Sequence, residues 1–151
     1  AVPAPAPDIW PSCDPAPSLP FIVPYRHGKV TAGFVRFLSK SRKADGEKFG
    51  LVILDPPAFC KSASEVKDAY RGYKDINVLG MKLTKSGGYL ISSSCSHYMT
   101  FPLFEKMLVE ASKESGRIVR CVEVKSQSPD HPSLLCAEET QYLKFFVMQV
   151  L

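Results

Sequence analysis

No stretch of this sequence is apolar for long enough to span a bilayer, which excludes a helical membrane anchor within it. No Cys-x-x-Cys pair and no His/Cys cluster has zinc spacing, so no metal site is expected. The five cysteines, Cys13, Cys60, Cys95, Cys121 and Cys136, are odd in number and scattered, which argues against a disulfide framework. Residues 1–24 have neither a basic start nor an apolar core of the kind that directs secretion, so a reduced cytoplasmic protein without membrane contact is the expectation. No internal repeat is present. Charge of one sign does not dominate either: the net charge is +4, with Lys and Arg spread along the chain, which permits contact with nucleic acid without demanding it.

What is abundant is proline, and it is uneven. Eight of the 13 prolines fall in residues 1–24, which favours extended conformations and blocks helix. Residues 1–30 are therefore expected to be a disordered lead-in and residues 31–151 a domain. Within the domain, Thr31–Arg42 carries Phe34, Val35, Phe37 and Leu38 among basic residues and reads as an amphipathic helix. A strand is expected over Phe49–Leu54. A long helix is expected over Ser62–Lys85, with Val66, Ala69, Tyr70, Tyr73, Ile76, Gly80 and Leu83 on one face. Gly87-Gly88 is expected to end it and Tyr89–Ser94 to form a second strand. Thr100 caps a helix running to Ser115, closed by Gly116. Arg117–Val124 and Tyr142–Leu151 are expected to form a last, antiparallel strand pair. The alternation predicts an α/β fold with a largely parallel sheet.

The informative stretch is Leu51-Val52-Ile53-Leu54-Asp55-Pro56-Pro57-Ala58-Phe59-Cys60-Lys61. Four apolar residues make a buried strand, and two prolines then force a stiff, extended exit. Asp55 is placed at the carboxyl edge of the sheet, where open α/β sheets bind ligands. A plain strand-to-loop turn fits this stretch equally well. The second strand ends in Ser94-Cys95-Ser96. If the strands are neighbours, a thiol and a carboxylate face one crevice, a candidate nucleophile with a positioned acid. Taken alone, Cys95 reads as a buried structural cysteine.

Taken in order, Leu54-Asp55-Pro56-Pro57-Ala58-Phe59, Arg71-Gly72-Tyr73-Lys74-Asp75-Ile76-Asn77, Ser94-Cys95-Ser96, Asp130-His131-Pro132 and Glu139 with Tyr142-Leu143-Lys144 make residues 34–151 resemble the C-terminal half of one catalytic domain. It is that of bacterial large-subunit ribosomal RNA cytosine-C5 methyltransferases. The resemblance implies a truncated Rossmann-like class I methyltransferase sheet, strand block 4-5-7-6, with flanking helices. It implies S-adenosylmethionine (SAM) as cofactor and RNA as partner. Cys95 would be the nucleophile that adds to cytosine C6, and only its thiolate attacks. Asp55 would bind the base edge and border the cofactor. Pro56, Pro57 and Phe59 would contact the base, with Phe59 stacking on it, and Lys61, Arg71 and Lys74 would meet phosphates. His97 is a candidate base near Cys95. His131 reads as a turn residue, Cys121 as core, Tyr73 and Ile76 as packing, and Asn77 as a hydrogen-bonding residue near the strand end.

The glycine-rich strand-to-helix turn that holds SAM in complete members has no counterpart in residues 1–49. Most of the cofactor site is therefore expected to be missing, with weak SAM binding by this chain alone. Leu51–Leu54 would be an open sheet edge, which predicts self-association there or a complementing N-terminal half. The alternatives are methylation of another base or a ring nitrogen, and a non-catalytic RNA- or partner-binding remnant.

Overall fold

The structure, a computed structural model, describes residues 21–22, 48–60 and 62–151. The expected helix over Thr31–Arg42 and the candidate phosphate ligand Lys61 lie outside these residues. Five strands form one sheet: β1 (Phe21–Ile22), β2 (Phe49–Leu54), β3 (Thr84–Ser94), β4 (Val119–Lys125) and β5 (Lys144–Val150). Their spatial order is β1-β2-β3-β5-β4. β1, β2 and β3 are parallel, while β5 runs antiparallel to both β3 and β4. The block β2-β3-β5-β4 has the order expected of 4-5-7-6.

Two helices, α1 (Val66–Leu83) and α2 (Phe101–Ser115), pack on each other. α1 is preceded by a 3-10 turn at Ala63–Glu65 and buries Ala69, Tyr73, Ile76, Gly80, Met81 and Leu83. α2 buries Phe104, Met107, Leu108 and Ala111. These join Val52, Leu54, Leu90, Phe146, Met148 and Val150 from the sheet in one core. Burying each large apolar side chain contributes roughly 1.5–3 kcal/mol. α2 begins at Thr100 as the spacing predicts, although the Thr100 side chain makes no capping bond. It ends at Gly116, whose φ of 70° is the left-handed conformation glycine adopts most readily.

Three expectations are corrected. Gly87-Gly88 does not terminate α1. The helix stops at Leu83, where the Thr84 hydroxyl donates to the Gly80 carbonyl at 2.7 Å, and β3 starts at once. The glycines instead serve a close crossing: a Cβ on Gly88 would stand 2.8 Å from the Gly50 carbonyl oxygen. Cys121 is exposed rather than core, because β4 is the outer strand and six of its seven residues lie open. Nor is β2 an open edge. Phe21 lies opposite Val52 and Ile22 opposite Ile53, so two residues of the expected disordered lead-in take the position left for a neighbouring strand. Phe21 and Ile22 are apolar, as are Val52 and Ile53 opposite them. Val52 and Ile53 are accordingly paired within the chain.

Candidate functional site

β2 and β3 are adjacent and parallel, with Leu54 opposite Ser92, so their carboxyl ends deliver Asp55 and Cys95 to the same edge of the sheet. Both residues are exposed. Asp55 is oriented from β3: the Ser93 hydroxyl donates to its Oδ1 at 2.6 Å and also reaches the Leu54 carbonyl at 3.3 Å. The turn after β2 runs out through Pro56 and Pro57, both half-buried, to Phe59. The Phe59 ring leans on Tyr73 with centroids 4.6 Å apart. Cys60, next in the chain, is buried, and its thiol donates to the Ser62 carbonyl at 3.1 Å. Burial pushes that thiol's pKa up, which makes it a poor thiolate and a poor substitute for Cys95.

Tyr73 is the hub that ties the two turns together. It is fully buried on α1, edge-on to Phe104 at 5.7 Å. Its hydroxyl accepts from Ser94 Oγ at 2.9 Å and shares a hydrogen bond of 3.0 Å with Ser96 Oγ. Ser96 Oγ in turn accepts the Cys60 backbone N–H at 3.4 Å. One phenol thereby joins Ser94 and Ser96, on either side of Cys95, to the end of the Asp-Pro-Pro turn. Burial raises the Tyr73 pKa, partly offset by the bonds from Ser94 and Ser96, so the phenol stays neutral near pH 7.

Other residues fall elsewhere. The Lys74 ammonium pairs with Glu114 of α2 at 3.1 Å, and the Glu114 contact raises its pKa. Arg71 lies 3.7 Å from Asp68 on its own helix. Asn77 donates to the Tyr73 carbonyl one turn back rather than to a strand end. His97 is exposed beside Tyr98, and His131 sits with Asp130 in an exposed loop. Among the described residues no helix is long and apolar enough to cross a membrane, and no group of three His, Cys, Asp or Glu side chains is placed to hold a metal ion.

Sequence reasoning missed Ser93 and Lys144 as supporting residues, and took Tyr73 for packing alone. Tyr73 falls on the apolar stripe of its helix, so periodicity reads it as core. Lys144 left a signal: it is the single charge in Lys144–Val150, an otherwise apolar and amide strand.

No family model matches the chain. It is 43% identical over 114 residues to ribosomal RNA large subunit methyltransferase I of Yersinia pestis and of Yersinia pseudotuberculosis. The match covers 76% of this chain and 29% of each relative, so the chain spans less than a third of their length. Two solved structures share the fold. One, solved with S-adenosylhomocysteine (SAH), is assigned as a methyltransferase and matches with a TM-score of 0.63 at 20% identity, over 77% of this chain and 30% of that one. The other, from Streptococcus mutans, is assigned as a SAM-dependent methyltransferase and matches with a TM-score of 0.61 at 21% identity, over 77% and 29%. The sheet therefore has a truncated Rossmann-like fold.

Proposed function

Starting from a chain homologous to one segment of ribosomal RNA large subunit methyltransferase I, we propose that it carries the base-binding and nucleophile side of a SAM-dependent RNA methyltransferase that acts at cytosine C5. One observation carries this reading: an exposed thiol and an exposed, oriented carboxylate stand at the ends of neighbouring parallel strands. SAM, when bound, supplies an electrophilic methyl group. The residues present fit it along one edge only, through Asp55, since the sequence offers no glycine-rich turn.

The chain's own residues have defined tasks. The Cys95 thiolate adds to cytosine C6, forming an Sγ–C6 bond and moving electron density to C5, which otherwise reacts poorly. The Asp55 carboxyl meets the base edge at N3 and favours its protonation as the adduct forms. Phe59, buttressed by Tyr73, offers a face for the base to stack on. Once C5 carries the methyl group that SAM would supply, loss of the C5 proton to a base, cleavage of Sγ–C6 and return of the N3 proton restore the aromatic ring and the thiolate.

The test uses this chain fused behind the preceding residues of the Yersinia relative. RNA containing 5-fluorocytosine should form a denaturant-stable adduct, and Cys95→Ala should lose both adduct and methyl transfer, by about 1,000-fold or more, with RNA binding within about twofold. Full activity in Cys95→Ala would refute the covalent route and favour a ring nitrogen or another base. RNA binding without any transfer by the fused protein would favour a non-catalytic module.

A further inference from the structure

Among the described residues Lys144 is the one charged side chain that the fold buries, at 1% exposure. It opens β5 directly opposite Ser94, the residue before Cys95. Its ammonium donates to the Ser96 carbonyl at 2.6 Å and to the Tyr142 carbonyl at 2.7 Å. None of the ion pairs among the described residues includes it. Burying a cation without a carboxylate is costly, and two neutral carbonyls offset that only in part. A retained buried cation with no anionic partner, beside a turn that presents a thiol, points to a transient anion on that turn.

We propose that Lys144 is a positioning residue for Cys95: its ammonium pins the carbonyl that follows the thiol and supplies the positive charge that the thiolate faces. The proposal rests on the reading of Cys95 as nucleophile. It explains how an exposed cysteine becomes reactive without a histidine aimed at it. Burial lowers the lysine's pKa to about 8, and negative charge on Cys95 acts the other way. The other titratable groups around this turn are Tyr73 on α1, held neutral by burial, Asp55 and Cys60 after β2, and His97, which is exposed and stacked edge-on with Tyr98.

Alkylation by iodoacetamide tests this on the full chain without RNA or SAM, with Cys95 resolved from the other four cysteines by peptide mass spectrometry. Lys144 is charged at pH 7 and neutral at pH 10. The rate at pH 7 relative to that at pH 10 should therefore fall about tenfold in Lys144→Met and stay within about twofold of wild type in Lys144→Arg. A lysine that only shapes the turn would change both rates together and leave the ratio alone. An unchanged ratio in folded Lys144→Met, or an equal fall in Lys144→Arg, overturns the proposal. If Lys144→Met does not fold, the reciprocal measurement decides. In Cys95→Ala, an exposed substitution, the Lys144 side-chain NMR resonance should titrate at lower pH than in wild type, and an unmoved midpoint overturns the proposal. Neither readout involves methyl transfer. The lysine's role can fail while Cys95 survives as nucleophile, and Cys95 can fail in the fused enzyme while the alkylation ratio stands.

Discussion

The turn after β2 and the turn after β3 lie side by side and are held by different forces. The first contains Pro56 and Pro57, whose rings restrict the backbone before any folding takes place. Its remaining support is the Ser93 hydroxyl on Asp55, Phe59 against Tyr73 and the Cys60 backbone N–H to Ser96. The second contains no proline. Ser94 and Ser96 reach Tyr73, and Lys144 holds the Ser96 carbonyl from beneath. Its shape exists only once α1 and β5 are in place. Stiffness in the first turn is largely covalent, and in the second, beyond the local bonds of the Ser96 N–H to Ser94 and the Met99 N–H to Ser96, it is tertiary. Single side-chain deletions should therefore damage the second turn more.

The largest expected effect is Tyr73→Phe. It keeps the ring between Phe59 and Phe104 and removes only the hydroxyl, leaving buried Ser94 and Ser96 short of a partner. Urea unfolding should show a loss of about 1–3 kcal/mol. A change below about 0.5 kcal/mol would mean that the two serines satisfy each other and that the second turn is not held as described.

Next comes the pH dependence of the buried lysine. The native pKa of Lys144, about 8, lies below its ordinary value of 10.5. Below pH 8 folded and unfolded chains both hold the proton, and the cost of burying the charge is fully present. Between about 8 and 10.5 the unfolded chain binds more protons, so this group's contribution to stability rises with pH. Relative to Lys144→Met, wild type should gain on the order of 1–2 kcal/mol from pH 8 to pH 10 in denaturant titrations. A flat difference would show that Lys144 keeps an ordinary pKa.

Ser93→Ala probes the link between the strand ends. The hydroxyl donates to a carboxylate that is itself exposed, so water replaces part of the bond. The expected loss is about 0.5–1.5 kcal/mol in thermal or urea unfolding. In the fused enzyme RNA should bind more weakly, with kcat falling less than kcat/KM. The opposite split would move Asp55 from binding the base to acting in the chemical step.

The smallest effect belongs to the proline-held turn. A Cβ at Gly72 would meet the Phe59 ring at 3.5–3.6 Å, an ordinary contact, and Gly72 lies inside α1. Gly72→Ala should be neutral or stabilise by up to about 1 kcal/mol through helix propensity. Destabilisation beyond about 1 kcal/mol would show Phe59 clamped as firmly as the second turn, erasing the contrast.

Apolar periodicity places α1, α2 and β5 because each shows one repeating face to one core, and a continuous apolar run places β2. It fails at Thr84–Gly88, where a helix passes straight into a strand and the glycines answer to a neighbouring backbone rather than to a helix end. It fails at Cys121, because β4 lies at the sheet's outer edge, where its apolar residues stay exposed among charged ones. It fails again at Phe21–Ile22, where a two-residue pairing carries no periodic signal at all.

Of the site, Asp55 followed by two prolines and Cys95 at a strand's end are local facts, and the sequence by itself determined them. Steric restriction by proline and the carboxyl end of a buried strand act within a few residues. Tertiary structure alone decided that Tyr73 bridges both turns, that Ser93 orients Asp55, that Lys74 is taken up by Glu114, and that Lys144 lies beneath Ser96. Ser96 and Lys144 are 48 residues apart in the chain. Hydrogen bonds and charge act over a few ångströms of space, and only the pairing of β3 with β5 brings those residues within that range.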